Sequence, residues 1–142
     1  MNIAPAWTRT VVGLLGLATL LFGSTCFIRP ELLFGVDAFR TLARVPIGLL
    51  GAGAVGVGIS ALMAARSGEV LRLRATALPM FLASLLVPPV IGFNVGAFDQ
   101  IGTSGFRTLA VVVVFSAFYA SPLMAAMLVL NRIHKRQPSH HS

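Results

Sequence analysis

Four stretches of this chain, each 19 to 24 residues long, contain no Asp, Glu, Lys, Arg or His. They cover 10–28, 45–65, 75–98 and 108–130. A helix rises ~1.5 Å per residue, so each stretch can cross the ~30 Å hydrocarbon core of a bilayer. Charged residues make up only 11% of the chain, whereas a soluble domain carries about 25%. The sequence therefore predicts an all-α, integral membrane four-helix bundle that forms a single domain over 1–142, with a tail over 131–142.

The net charge of +7 lies at the ends of these stretches, so we expect no nucleic-acid partner. Seven basic residues precede the first stretch, separate the second from the third, or follow the fourth: Arg9, Arg66, Arg72, Arg74, Arg132, Lys135 and Arg136. Positive charge marks the cytoplasmic side, so both termini are predicted to be cytoplasmic. Ten of the eleven basic residues are arginine, which suggests a GC-rich bacterial genome and hence the bacterial cytoplasmic (inner) membrane.

The connection between the first and second stretches, 29–44, is amphipathic. Pro30 ends the first helix or starts a new one. Apolar residues then follow at approximately helical spacing: Leu32, Leu33, Val36, Phe39 and Leu42. Charged residues take the other side: Glu31, Asp37, Arg40 and Arg44. This pattern predicts a short helix that lies on the membrane surface between the first two spans.

The first stretch has a second interpretation, a secretory signal, because Arg9 precedes its apolar part and a small-residue run precedes Cys26. The stretch is long for a signal and has no A-x-A cleavage site, so we predict an uncleaved helix. The single cysteine cannot form an internal disulfide. A small residue near a helix end is a simpler interpretation of Cys26 than a reactive thiol, because no activating partner is evident.

The second stretch is unusually poor in large side chains. Gly48, Ala52, Gly56 and Ser60 follow one another at i, i+4 spacing and so share one helical face. In lipid such a face lets another backbone approach closely, and packing drives the contact. We assign these residues to helix packing in a central second span, and expect leucine at Ala52 and Gly56 to separate its neighbours. The face is either used inside the bundle or contacts a second copy of the chain.

Polar side chains at membrane depth lie in the third and fourth stretches. The consecutive prolines Pro88–Pro89 must kink the third helix or break its hydrogen-bond ladder, and the freed backbone groups need partners. Asn94, Tyr119 and Ser121 could line a cavity between the third and fourth helices. Together with Arg44 at its rim, they are our candidate binding site for a quinone or a lipid. The alternative is a set of interhelical hydrogen bonds that only hold the bundle together.

The apolar stretches contain no cluster of catalytic or metal-binding residues. The three histidines, His134, His140 and His141, all lie in the tail, which we expect to be loose. A metal site there would need a rigid frame and further ligands. The lack of ionisable groups at mid-membrane argues against a proton-coupled transporter. The sequence has no nucleophile–base pair and no nucleotide-binding loop, so it predicts no catalytic and no metal site. It therefore disfavours an enzymatic function.

The first 65 residues or so resemble the DoxX-like group of small four-helix membrane proteins. The resemblance rests on the order of RPELLFGVDAF, two arginines and the glycine-rich GLLGAGAVGVG. The positions that carry it are Arg29, Pro30, Gly35, Arg40 or Arg44, Gly48 and Gly51. Some relatives are subunits of membrane oxidoreductases that work near quinone. The resemblance therefore implies a role in a redox complex, and it transfers no catalytic residue.

Three functions are compatible with these features. The first is an accessory or structural subunit of a membrane complex, in contact with other subunits or with copies of itself. The second is a binder or carrier of a quinone or lipid between the third and fourth helices. The third is a membrane-embedded enzyme that uses few polar groups. We favour the first, because a small-residue face in lipid is suited to helix contact.

Overall fold

Four helices make up the described part of the chain, which in this computed structural model comprises residues 3–29, 44–93 and 105–135. They are α1 (Ala6–Ile28), α2 (Arg44–Ser67), α3 (Val70–Phe93) and α4 (Gly105–Lys135). Each helix contains a window long and apolar enough to cross a membrane. The prediction of an all-α fold is confirmed for the described residues, and all four helices are long and apolar enough to be membrane spans. The predicted surface helix falls on 30–43, outside the described residues.

Several helices extend beyond the uncharged stretches of the sequence, and α3 and α4 illustrate this. α3 begins at Val70 and so includes Arg72 and Arg74, which the sequence analysis placed between the second and third stretches. α4 continues to Lys135, so the expectation of a loose tail from 131 onward is wrong for its first turn. The physical reason is the same in both cases. Hydropathy marks where lipid ends, whereas a helix can continue into the headgroup region with its charged side chains directed to water.

α3 passes through its prolines as one helix. Pro79, Pro88 and Pro89 all lie inside it, and the helix ends only at Phe93. The helix therefore does not end at Pro88–Pro89, although the two prolines lack the N–H donors of the helical hydrogen-bond ladder. Each proline removes one helical hydrogen bond, and membrane helices tolerate this loss where neighbouring groups re-satisfy the backbone.

A turn of two residues, Gly68 and Glu69, joins α2 to α3. Gly68 has a φ of 70°, a left-handed conformation that a glycine adopts without steric cost. The N-terminal segment is tied to this turn, because Ala4 N donates to Gly68 O at 2.8 Å and Ile3 forms an antiparallel bridge with Glu69. The start of the chain is therefore fixed at the end of the bundle where α2 passes into α3.

The helices pack as two close pairs. α1 makes its most extensive contact with α2, and α3 with α4, whereas α2–α3 and α1–α4 contacts are smaller. The buried apolar core lies toward the end that holds the α2–α3 turn: Ala4, Val12, Ala61, Ala64, Val70, Leu73, Ala77, Met80, Leu123 and Leu130. Toward the other end, Phe93, Phe106 and Phe115 are 72% to 91% exposed. Such exposure suits side chains that face lipid, since lipid tails are as apolar as the side chains themselves.

Candidate functional site

The closest helix–helix contact lies between α1 and α2, where glycine backbones touch directly. Gly16 lies opposite Gly58: a Cβ built on Gly58 would lie 2.7 Å from Leu20 N and 2.8 Å from Gly16 O. Gly23 lies opposite Gly51: a Cβ built on Gly23 would lie 2.7 Å from Gly51 O. Real Cβ atoms essentially never come so close to backbone atoms. All of these positions therefore require glycine for the observed approach of the two helices.

Spacing explains why these glycines meet. Gly16 and Gly23 are seven residues apart on α1, and Gly51 and Gly58 are seven apart on α2. Seven residues make about two helical turns, so each pair lies on one face of its helix. Two antiparallel helices with the same spacing bring both pairs into register. This contact was not predicted from the sequence. The signal that could have found it is the matching seven-residue spacing of glycines in two neighbouring spans.

The small-residue face predicted for helix packing makes no such contact within the described part of the chain. This face consists of Gly48, Ala52, Gly56 and Ser60. A Cβ built on Gly48 or Gly56 would meet nothing within 4 Å. Ala52, Gly56 and Ser60 are exposed, and the Ser60 hydroxyl donates to Gly56 O of its own helix at 2.9 Å. Leucines at Ala52 and Gly56 therefore have room. The expectation that they separate the helices of one chain is corrected, because α2 packs on α1 through its other side.

Tyr119 of the candidate ligand site joins α4 to α1. Its hydroxyl hydrogen-bonds to the Thr19 hydroxyl, and it lies 3.4 Å from Leu15 O. The Thr19 hydroxyl in turn donates to Leu15 O at 2.7 Å. Three polar atoms of two helices thus satisfy one another at membrane depth. This matches the alternative interpretation for Tyr119, an interhelical hydrogen bond.

The other predicted site residues do not join Tyr119 within the described residues. Ser121 is exposed, and its hydroxyl donates to Ala117 O of its own helix at 2.6 Å. Asn94 and the side chain of Arg44 lie outside the described part. Tyr119 is directed to α1, so it forms no pair with Ser121 for a ligand between α3 and α4.

We expect Tyr119→Phe to lower the free energy of unfolding by about 0.6 kcal/mol, the average value for a hydrogen bond between membrane helices. The Tyr119 hydroxyl is the group of α4 that hydrogen-bonds to Thr19 and Leu15 O among the residues that the structure describes. Phenylalanine removes these hydrogen bonds. Unfolding in mixed detergent micelles, followed by far-ultraviolet circular dichroism, measures it. Ser121→Ala is the matched control, since its hydroxyl bonds only within α4. Equal losses in both variants would contradict the interhelical role of Tyr119.

Arg9 holds the end of α2. Its Nε donates to Ala65 O at 3.0 Å and its Nη2 to Arg66 O at 3.4 Å. Carbonyls in the last turn of a helix lack intrahelical partners and carry partial negative charge, so a guanidinium there is favourable. The Arg9 side chain also lies over Gly68, with Cζ 3.2 Å from the position that a Cβ would take. Gly68 therefore serves both the turn and the placement of Arg9.

Residues with metal-binding or redox chemistry are few in the described ranges. No group of three His, Cys, Asp or Glu side chains that could hold a metal is found there. His134 is exposed near the end of α4. Cys26 is fully buried and lies at the α1–α2 contact, its Cβ 3.0 Å from a Cβ built on Gly51. That position fits the interpretation of Cys26 as a small packing residue.

Comparison with known proteins gives this chain no relative. No protein-family model, no curated protein and no solved structure matches it.

Proposed function

We propose that this protein is an accessory or structural subunit of a membrane complex, and that α2 supplies its contact with another subunit. The support is one observation. α2 has two faces of small residues, and only one of them, with Gly51 and Gly58, is taken by α1. The other face is exposed along the helix: Leu49, Ala52, Gly53, Gly56, Ile59, Ser60 and Met63.

The exposed face has the composition of a helix contact in lipid. Lipid tails already surround apolar side chains, so helices associate through close packing of backbones. Gly53 and Gly56 leave open space around their Cα atoms. Leu49, Ile59 and Met63 give the face larger side chains on either side of this gap. A partner helix could therefore lie close to the backbone of α2 and pack between these larger side chains.

The setting that we propose is the bacterial cytoplasmic membrane, with both termini in the cytoplasm. Support comes from the basic residues at the bundle end with the α2–α3 turn: Arg9, Arg66, Arg72, Arg74, Arg132 and Lys135. Positively charged connections stay on the cytoplasmic side. The resemblance of the first 65 residues to the DoxX-like group makes a membrane oxidoreductase our proposed complex. A second copy of this chain is the other partner that would fit the face.

The alternative, a carrier of quinone or lipid between α3 and α4, has less support. Its polar residues do not converge in the described part, because Tyr119 bonds to α1 and Ser121 bonds within α4. Subunit contact through α2 is therefore the better-supported function.

The test is the double variant Ala52→Leu, Gly56→Leu, purified gently from native membranes. We expect the wild-type chain to copurify with a partner and the variant to lose at least nine-tenths of it, because two leucines fill the gap. Mass spectrometry identifies the partner as another protein or a second copy. The helical content of the variant should remain unchanged, since Gly56 has open space within the chain.

Ala18→Leu is the matched control, because Ala18 is also exposed at mid-helix but lies on α1. It adds the same side chain to a lipid-facing position outside the proposed contact. Retention of the partner by the control and its loss from the α2 variant supports the proposal. A wild-type chain that is strictly monomeric both in mild detergent and in native membrane would rule the proposal out.

A further inference from the structure

A shallow depression lies on the outer seam between α1 and α2, at the end of the bundle that holds the α2–α3 turn. Its volume is about 270 Å³, and it is lined by Ala6, Arg9, Thr10 and Ala65. Three of these residues have small side chains, and the fourth is the arginine that holds the end of α2. The depression is therefore open to its surroundings and has a fixed positive charge in its wall.

Arg9 is held in place before any ligand arrives. Its two hydrogen bonds to Ala65 O and Arg66 O use two of the five N–H donors of a guanidinium. Its planar group rests over Gly68, where a side chain would crowd it. A free arginine side chain loses conformational entropy when it binds a ligand. Arg9 is already ordered in the folded protein, so this loss is smaller on binding. The remaining donors can bind an anion at little further loss.

The surroundings of the depression carry an excess of positive charge. Arg66 follows the lining residue Ala65 in sequence and is exposed in the last turn of α2. Glu69 is the one acidic residue of the described ranges, and it forms an ion pair with Arg72 at 2.6 Å. This pair is neutral overall, so the charges of Arg9 and Arg66 are not balanced by a nearby carboxylate of the described chain. An anionic partner would balance them.

The depth of the depression in the membrane indicates which class of anion it would bind. Trp7 is 45% exposed in the first turn of α1, and tryptophan is enriched at the level of lipid headgroups. Arg9 and Thr10 lie within one turn of Trp7, so the depression is at the same level. Deeper in the bundle, the seam continues past Gly13 and the exposed Leu17. An apolar chain attached to the anion could follow that seam.

We propose that Arg9 and Arg66 bind the phosphate of an anionic membrane phospholipid, whose acyl chain lies along the α1–α2 seam past Gly13. Guanidinium groups form paired hydrogen bonds to phosphate, which gives this contact its geometry. The residues that line the depression do not belong to the exposed face of α2 that we propose for subunit contact, so variants such as Ala6→Leu test this proposal separately.

The full-length protein in mild detergent is titrated with phosphatidylglycerol, or with phosphatidylcholine of the same acyl chains, and bound lipid is counted by native mass spectrometry. We expect one phosphatidylglycerol molecule to bind in preference to phosphatidylcholine. Arg66→Gln should weaken that binding about fivefold, the effect of ~1 kcal/mol for one basic residue at an anionic surface. Arg132→Gln, which removes an exposed charge from α4 at the same end, is the matched control and should change it little.

A substitution at Arg9 would also disturb the α2–α3 turn, so the second variant is Ala6→Leu. It fills the depression without a change in charge, and it should weaken phosphatidylglycerol binding while the helical content stays the same. Equal binding of both lipids, equal losses in Arg66→Gln and Arg132→Gln, or undiminished binding by Ala6→Leu would each overturn the proposal. Displacement of the lipid by millimolar inorganic phosphate would overturn it as well, because the site would then be one for free phosphate.

Discussion

Replacing Gly58 with alanine should lower the free energy of unfolding by about 2 kcal/mol, in the range found for overpacked protein interiors. The added methyl group would lie 2.7 Å from Leu20 N and 2.8 Å from Gly16 O. Both are backbone atoms of α1 and cannot rotate away, so the two helices must separate over this part of their length. Trp7, the chain's one tryptophan, lies on α1, and its fluorescence can follow unfolding in mixed detergent micelles.

Gly56→Ala is the matched control, two residues away on the same helix. Both variants gain the same helix propensity relative to glycine, so their difference isolates the contact with α1. Gly56 has open space around it, and we expect its alanine variant to be neutral or slightly more stable than wild type. If the two variants prove equally stable, the direct backbone contact between α1 and α2 is not present in the folded protein.

Replacing Leu123 with alanine should also cost about 2 kcal/mol of unfolding free energy. Leu123 is fully buried in the core, which it shares with Leu73 and Met80. In lipid, burial of these methyl groups gains no free energy of transfer from water, so their removal costs none. Only the free energy of the cavity that they leave behind remains. At about 24 cal/mol per Å³, a cavity of roughly 80 Å³ gives this value.

Leu128→Ala is the control for this change, because Leu128 lies on the same helix and is 53% exposed. Its removal leaves a space that lipid can fill, so we expect little change in stability. Unfolding of both variants under the conditions used for Gly58 makes the comparison direct. A loss at Leu128 as large as that at Leu123 would contradict a core at this end of the bundle.

The sequence was sufficient to predict the fold class, because an uncharged stretch of helix length is rare outside a membrane and this chain has four of them. It was less informative about helix ends. Arg72 and Arg74 mark the limit of lipid, and the helical backbone continues past that limit to Val70. The prolines did not mark a helix end either. Pro88 and Pro89 remove hydrogen bonds, yet the helix around them is maintained to Phe93.

The contacts between helices were harder to predict, for a reason that α2 illustrates. Small residues occur on nearly every side of this helix, so its own sequence favours several packing faces equally. Gly56 and Gly58 are only two positions apart, and one is open while the other touches α1. Only the matching pattern on α1 distinguishes them. Tyr119 is a second case, since nothing near it in sequence indicates that its partner is Thr19, 100 residues away.

The spacing of the α1 glycines limits how the length of this helix can vary. If one residue were deleted between Gly16 and Gly23, the first glycine would still meet Gly58. Everything beyond the deletion would turn by ~100° about the helix axis, and Ser24 would take the place opposite Gly51. Its side chain would enter a gap that has no room even for a methyl group. Insertions and deletions in related chains should therefore avoid these two turns and fall nearer the helix ends.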